Sequence, residues 1–305
     1  MNGVTIPITI KDTTFYYNEL KVRDYKTILK CLLEEPLNTS NLFLNLNNIL
    51  KNITSLTEEE ILNLDLLNYL LLLVNIRILS MGNKIFTVYQ DDTKTTKLEI
   101  SLNSSLIDIN KCLNDFKPIC YNDESISLFF NIPRVKDLIN NNTFYLDKIV
   151  FKNNEYKDIN ESLIDFLPAK YINIINSNCN NINKHVQNFF FYNSPIKMFS
   201  INLSLNYKIY SNIIKILFNE NLASIYDNIF YLSKICNLNS SYLEDCTYGE
   251  FKIFVKKAEE MLRKRAQTTQ DESNINEQQY APADIDSFYN EPKPEDITPS
   301  EFMTM

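Results

Sequence analysis

A chain of 305 residues, 45% of them hydrophobic, is long enough to bury the core of one large domain or two ordinary ones, so size does not limit its fold. The net charge of −8 is unevenly placed: nine acids and a single base, Lys293, follow Arg265, leaving 29 residues of each sign before it. A neutral body with an acidic end lacks the basic footprint that nucleic-acid binding needs, and the three glycines, Gly3, Gly82 and Gly249, cannot form a Walker A loop or a dinucleotide fingerprint.

In chain order, "TIPITI" alternates Ile6, Ile8 and Ile10, and Pro7 marks it as an edge strand; "TTFYYNEL" is expected to return as its hairpin partner. A helix is predicted from Arg23 to about Leu33, with Val22, Tyr25, Ile28, Leu29 and Leu32 on one side and Pro36 as its stop. Residues 38–51 and 57–81 read as helices, the second opening on a capping-like "TEEE" at Thr57 and running either as one long helix or as two with a break near Asn63. Past Gly82 the period changes. "KIFTVYQ" and "KLEISL" read as a hairpin, followed by a short helix over 105–114.

"SISLFFNIP" reads as a strand ending at Pro133, "RVKDLI" as the start of a helix, "FYLDKIVFKN" as a strand, and "NESLIDFLPAKYINIINS" as two short helices split by Pro168. "HVQNFFFYN" and "IKMFSINLSL" are strand-like and aromatic. From Tyr207 onward the chain turns helical. Its clearest helix is "GEFKIFVKKAEEMLRKR", with Phe251, Phe254, Val255, Ala258 and Leu262 in one stripe and a basic last turn that suits the helix dipole.

After Arg265 come four of the ten prolines, the nine acids and few apolar residues, a composition expected to stay disordered because it cannot bury enough surface to repay chain entropy. Tyr280, Phe288, Tyr289 and Phe302 punctuate this tail as candidate docking residues for a partner. The expected fold is thus α+β: a helix-rich body with short antiparallel hairpins and a disordered acidic tail. Its predicted divisions are residues 1–82 (hairpin plus helices), 83–205 (mixed), 206–265 (helices) and 266–305 (tail).

The longest apolar stretch is "LDLLNYLLLLVNIRILSMG" at residues 64–82. A membrane span needs about 20 mostly apolar residues, whereas Asp65, Asn68, Asn75 and Arg77 interrupt this one. At about 100° per residue the first three share a narrow strip, which predicts a helix buried nearly all round. Arg77 falls opposite that strip, among Leu66, Leu70 and Leu73. It either reaches helix carbonyls or a core carboxylate, or marks a surface that meets another protein.

Residues that carry chemistry are sparse. The six cysteines are scattered without a C-x-x-C pair, and "MNGVTIPITI" has no signal-peptide pattern, so reduced thiols are expected. The lone His185 sits in "NKHVQNFF" without a nucleophile motif, and one histidine with unpaired cysteines does not suit zinc. No catalytic, cofactor-binding or metal residue is assigned and no cofactor is expected, which leaves a protein acting through its surfaces.

Several segments together resemble the baseplate hub subunit family of T-even-like, contractile-tailed bacteriophages. They are "FYYNELKVRDYKTILKCLL", the series Asp65, Tyr69, Leu70 to Leu73, Arg77, Ser80 and Gly82, and "SISLFFNIPRVKDL" with Pro133. The similarity covers scattered blocks over residues 15–180; the acidic tail lies outside it, and Cys179 stands alone in "NSNCNN", so no metal role is carried over. The resemblance implies a non-enzymatic hub subunit or a hub or tape-measure assembly factor. Its partners would be other tail and baseplate proteins, in the host cytoplasm during assembly and in the virion tail, with no nucleic acid and no membrane span. The alternatives are an enzyme without a short signature, such as a carboxylate hydrolase, or a generic adaptor.

Overall fold

The computed structural model describes residues 5–10, 13–34, 39–91, 94–140, 145–151, 154–157, 159, 161–186, 190–193, 198–201 and 207–273. The N-terminal strands β1 (Ile6–Ile10) and β2 (Thr13–Tyr17) pair antiparallel, Ile6 opposite Tyr17, and the alternation of β2 buries Phe15 and Tyr17 while Tyr16 faces out. Helices α1 (Val22–Glu34), α2 (Thr39–Ile53), α3 (Glu58–Asn63) and α4 (Leu66–Met81) follow. Of the two readings of 57–81 the chain takes the broken one, with the break at Leu64 and Asp65, where both residues are extended.

Local chemistry sets these boundaries. Thr57 and Glu60 form the capping box of α3, each side chain taking the other's backbone N–H. Asp65 caps α4 by accepting from the Asn68 amide at 2.9 Å and from its Nδ2 at 2.6 Å. Gly82 ends α4 at φ 89°, a left-handed conformation that glycine adopts without steric cost.

Next come the hairpin β3 (Lys84–Asp91) and β4 (Lys94–Ser101), helix α5 (Leu102–Asp115), then β5 (Ile119–Asn122), β6 (Ile126–Phe130), α6 (Val135–Ile139), β7 (Leu146–Phe151) and β8 (Asn154–Tyr156). The last four strands form an antiparallel sheet in the order β5-β6-β7-β8. After α7 (Glu161–Asp165) and α8 (Ala169–His185), strands β9 (Phe190–Asn193) and β10 (Met198–Ile201) extend the β3–β4 hairpin into a sheet ordered β10-β9-β4-β3. Helices α9 (Tyr207–Leu217), α10 (Leu222–Ile235), α11 (Ser240–Asp245) and α12 (Tyr248–Ser273) complete the described chain.

This is an α+β, helix-rich protein with short antiparallel hairpins. Two expectations need correction. The segment at His185 is not strand: α8 continues past residue 177 to His185, because Tyr171, Ile175 and Ile182 keep a helical apolar face on the core. The final helix runs beyond Arg265 to Ser273; the tail aromatics Tyr280, Phe288, Tyr289 and Phe302 lie outside the described residues.

The chain divides into two compact units, Met1–Ala258 and Glu259–Met305. Residues on both sides of the divisions expected at 82 and 205 contribute to one continuous core, since α4 supplies apolar side chains in every direction. Leu66, Leu67, Leu70 to Val74 and Ile76 are all buried, each aliphatic contributing about 1.5–3 kcal/mol of transfer free energy. Tyr69 packs with Phe43 and Tyr210, ring centroids 6.5 and 6.3 Å away, and donates to Asn47 Oδ1 at 2.9 Å. Among the described residues no helix is long and apolar enough to cross a membrane.

Candidate protein-docking groove

Helix α1 turns Val22, Tyr25, Ile28, Leu29 and Leu32 to the core, which leaves Lys30 and Leu33 on its outer side; Leu33 is 71% exposed. Helix α10 buries Ile225, Ile229 and Leu232, yet its sequence holds more apolar residues than one face can hide. Tyr226 and Phe230, one turn apart, face outward at 40% and 65% exposure. Between the helices lies a groove of about 720 Å³, lined on its apolar side by Leu29, Leu32, Leu33, Phe218, Leu222 and Tyr226. Lys215, Asn219, Glu220 and Asn221 line its polar end.

That polar end is held from beneath. Asn221 caps α10 by accepting from the Ala223 amide at 2.9 Å, and Asn219 Nδ2 donates to the Phe86 carbonyl at 2.9 Å. Glu220 receives the Tyr248 hydroxyl and pairs with Lys252 at 3.1 Å. Burial and then the Glu220 charge push the Tyr248 phenol far up, so it stays a neutral donor. The Tyr25 and Tyr248 rings meet edge to face at 4.6 Å.

Arg77 belongs to this support and not to the surface. Only 4% exposed, it donates Nε to the Leu217 carbonyl and Nη1 to the Gly82 carbonyl, both at 2.8 Å. It therefore takes the core-facing option, bonded to carbonyls: it closes the C-terminus of α9 against that of α4, next to the loop that forms the groove's polar end. Burial lowers its pKa, and the nearby Tyr25, Glu220 and Tyr248 act in the opposite sense. Ser80, from the same series, accepts from the Leu20 amide at 2.8 Å.

The other chemistry-bearing side chains are occupied in holding backbone together. His185 directs Nε2 at the Cys112 carbonyl, 3.3 Å away, while Cys112 Sγ donates to the His185 carbonyl at 3.7 Å, so ring and thiol do not pair. Burial, and then the Asp115 charge, pushes the Cys112 thiol up to about 11. Asp123 closes the turn between β5 and β6 by accepting from the Ser125 and Ile126 amides at 2.9 and 3.0 Å, and it joins α8 through Tyr171 at 2.9 Å and Lys170 at 3.1 Å. The Ser125 hydroxyl lies against both Asp123 and Tyr171, and among the described residues no histidine or lysine base bonds to it. Among the described residues no group of three or more His, Cys, Asp or Glu side chains could hold a metal ion.

Sequence reasoning did not single out the groove residues. A signal existed in "LASIYDNIFYLSKI", where Leu222, Tyr226 and Phe230 follow one face and Ile225, Ile229 and Leu232 another.

Fold and site together define a helix-rich α+β protein with an apolar groove between two helices. Comparison with known protein families, with characterised proteins and with solved structures gave no match to this chain.

Proposed function

We propose that the protein is a non-enzymatic component of contractile phage tail assembly, either a baseplate hub subunit or a factor that holds hub or tape-measure proteins in the host cytoplasm before they join the tail. The observation that carries the reading is the groove between α1 and α10, where Leu33, Tyr226 and Phe230 remain exposed beside an apolar cavity. Outward aromatic and aliphatic side chains around a concave apolar site are the usual anchors of a protein contact. The resemblance carried by Asp65, Tyr69, Arg77, Ser80 and Gly82 supplies the system in which that contact operates.

In this reading Arg77 positions the loop after α9 and does not touch the partner, while Tyr280, Phe288, Tyr289 and Phe302 form a second set of candidate contacts. Co-expression of the full chain with phage hub and tape-measure proteins, followed by gel filtration, tests it. A stable complex with one of them is expected, and separate elution from all of them contradicts the proposal. Mass spectrometry of purified virions then divides the two versions, since a hub subunit is retained in mature particles and an assembly factor is lost.

A further inference from the structure

Building on the docking reading, we propose that the groove receives an acidic amphipathic α-helix of the partner, apolar at positions i, i+3 or i+4 and i+7, with Asp or Glu flanking that stripe. The walls of the groove decide the shape of the occupant. Its lining comes from α1, the end of α9, the loop after it and the start of α10, with no strand in it. The lining itself offers an added β-strand no edge, and at the polar end Asn219 already takes the Phe86 carbonyl of the edge strand β3, whereas a helix can lay alternate turns of apolar side chains between two helices. Apolar residues repeat at helical spacing along both walls, the core residue Leu29 and the exposed Leu33 on α1 and Leu222 and Tyr226 on α10, with the exposed Phe230 continuing the α10 stripe beyond the lining.

Charge decides the flanks. Lys30 lies over the Tyr226 ring at 5.9 Å and Lys234 over the Phe230 ring at 5.8 Å, and neither has a carboxylate in ion-pair contact among the described residues. Lys26 pairs with Glu244 and also covers Tyr226 at 4.4 Å, and Glu220 is held by Lys252 and Tyr248. Glu34 and Asp227 share these helices, and Glu244 and Glu34 attract Lys30 from a distance beyond ion-pair contact. A partner that covers Tyr226 and Phe230 must dehydrate the two lysines on them. A carboxylate beside the partner's apolar stripe compensates that dehydration, whereas a lysine there adds repulsion.

The test is to pan a library of helical peptides, randomised at apolar and flanking positions, against the immobilised full chain and to sequence the retained pool. Apolar stripes with Asp or Glu flanks should be enriched. The charge-reversed variant Lys30→Glu/Lys234→Glu should shift the enriched flanks to Lys and Arg, and Tyr226→Ala/Phe230→Ala should cut enrichment by roughly tenfold or more. Circular dichroism and thermal melts of both double variants establish that they fold. Enrichment of groove binders with no acidic preference, or a preference unmoved by charge reversal, overturns this inference and leaves the docking reading standing. Failure to enrich any peptide overturns both. A concentration-dependent dimer in sedimentation velocity that Tyr226→Ala/Phe230→Ala abolishes would make a second copy the occupant and also overturn it.

Discussion

Arg77 carries a charge into the core without a carboxylate bonded to it, and its two hydrogen bonds to the Leu217 and Gly82 carbonyls explain how it can stay there. Replacing it with leucine orphans both acceptors, at about 1–3 kcal/mol for a buried one, so Arg77→Leu is expected to lose roughly 2–4 kcal/mol in urea denaturation. A variant that melts with the wild type would contradict this placement. Thiol reactivity offers a second check. Burial holds Cys112 and Cys246 up at about 11, which leaves roughly one thiolate in a thousand at pH 8, whereas Cys120 is exposed. Ellman titration of the native protein should therefore modify Cys120 first and reach Cys112 and Cys246 only on unfolding. Asp123 contributes on the acid side. The Ser125 amide, followed by Lys170, Tyr171 and the Ile126 amide, holds its carboxyl below the usual carboxylate range. A depressed carboxylate stabilises the fold above its unfolded pKa of about 3.9, and that stability is lost as pH falls through the folded value. Urea midpoints of wild type and Asp123→Asn should then differ most near neutrality and converge in strong acid.

At the level of elements, the caps decide where α3 and α4 part. Asp65 serves the α4 N-terminus from a buried position, so Asp65→Ala should cost about 1–2 kcal/mol in thermal or urea melts and Asp65→Asn much less. The sequence left one long helix and a break near Asn63 equally open, whereas the Thr57–Glu60 capping box, the all-round burial of α4 and the 84–101 hairpin were legible in it, each with a local signal that tertiary packing did not override. Strands β5 and β8 were not, since they are short and largely half-buried or exposed, and alternation over so few residues resembles loop. The groove was hidden for a different reason. Tyr226 and Phe230 each follow a buried isoleucine, Ile225 and Ile229, so both faces of α10 look like core until the position of α1 shows which face is covered.

For the unit Met1–Ala258 as a whole, the central claim is that the protein acts by association through the groove between α1 and α10. The Arg77 bond to the Leu217 carbonyl and the Tyr248 bond to Glu220 anchor the groove's polar end to the core, so the docking surface is expected to be preformed and to change little on binding. The most direct measurement is calorimetric titration of the full chain with the hub or tape-measure protein that co-elutes with it, in wild type and in the folded Tyr226→Ala/Phe230→Ala variant. Saturable binding by the wild type, weakened roughly tenfold or more in the variant, is the predicted result. Equal affinity in the two proteins would contradict the account.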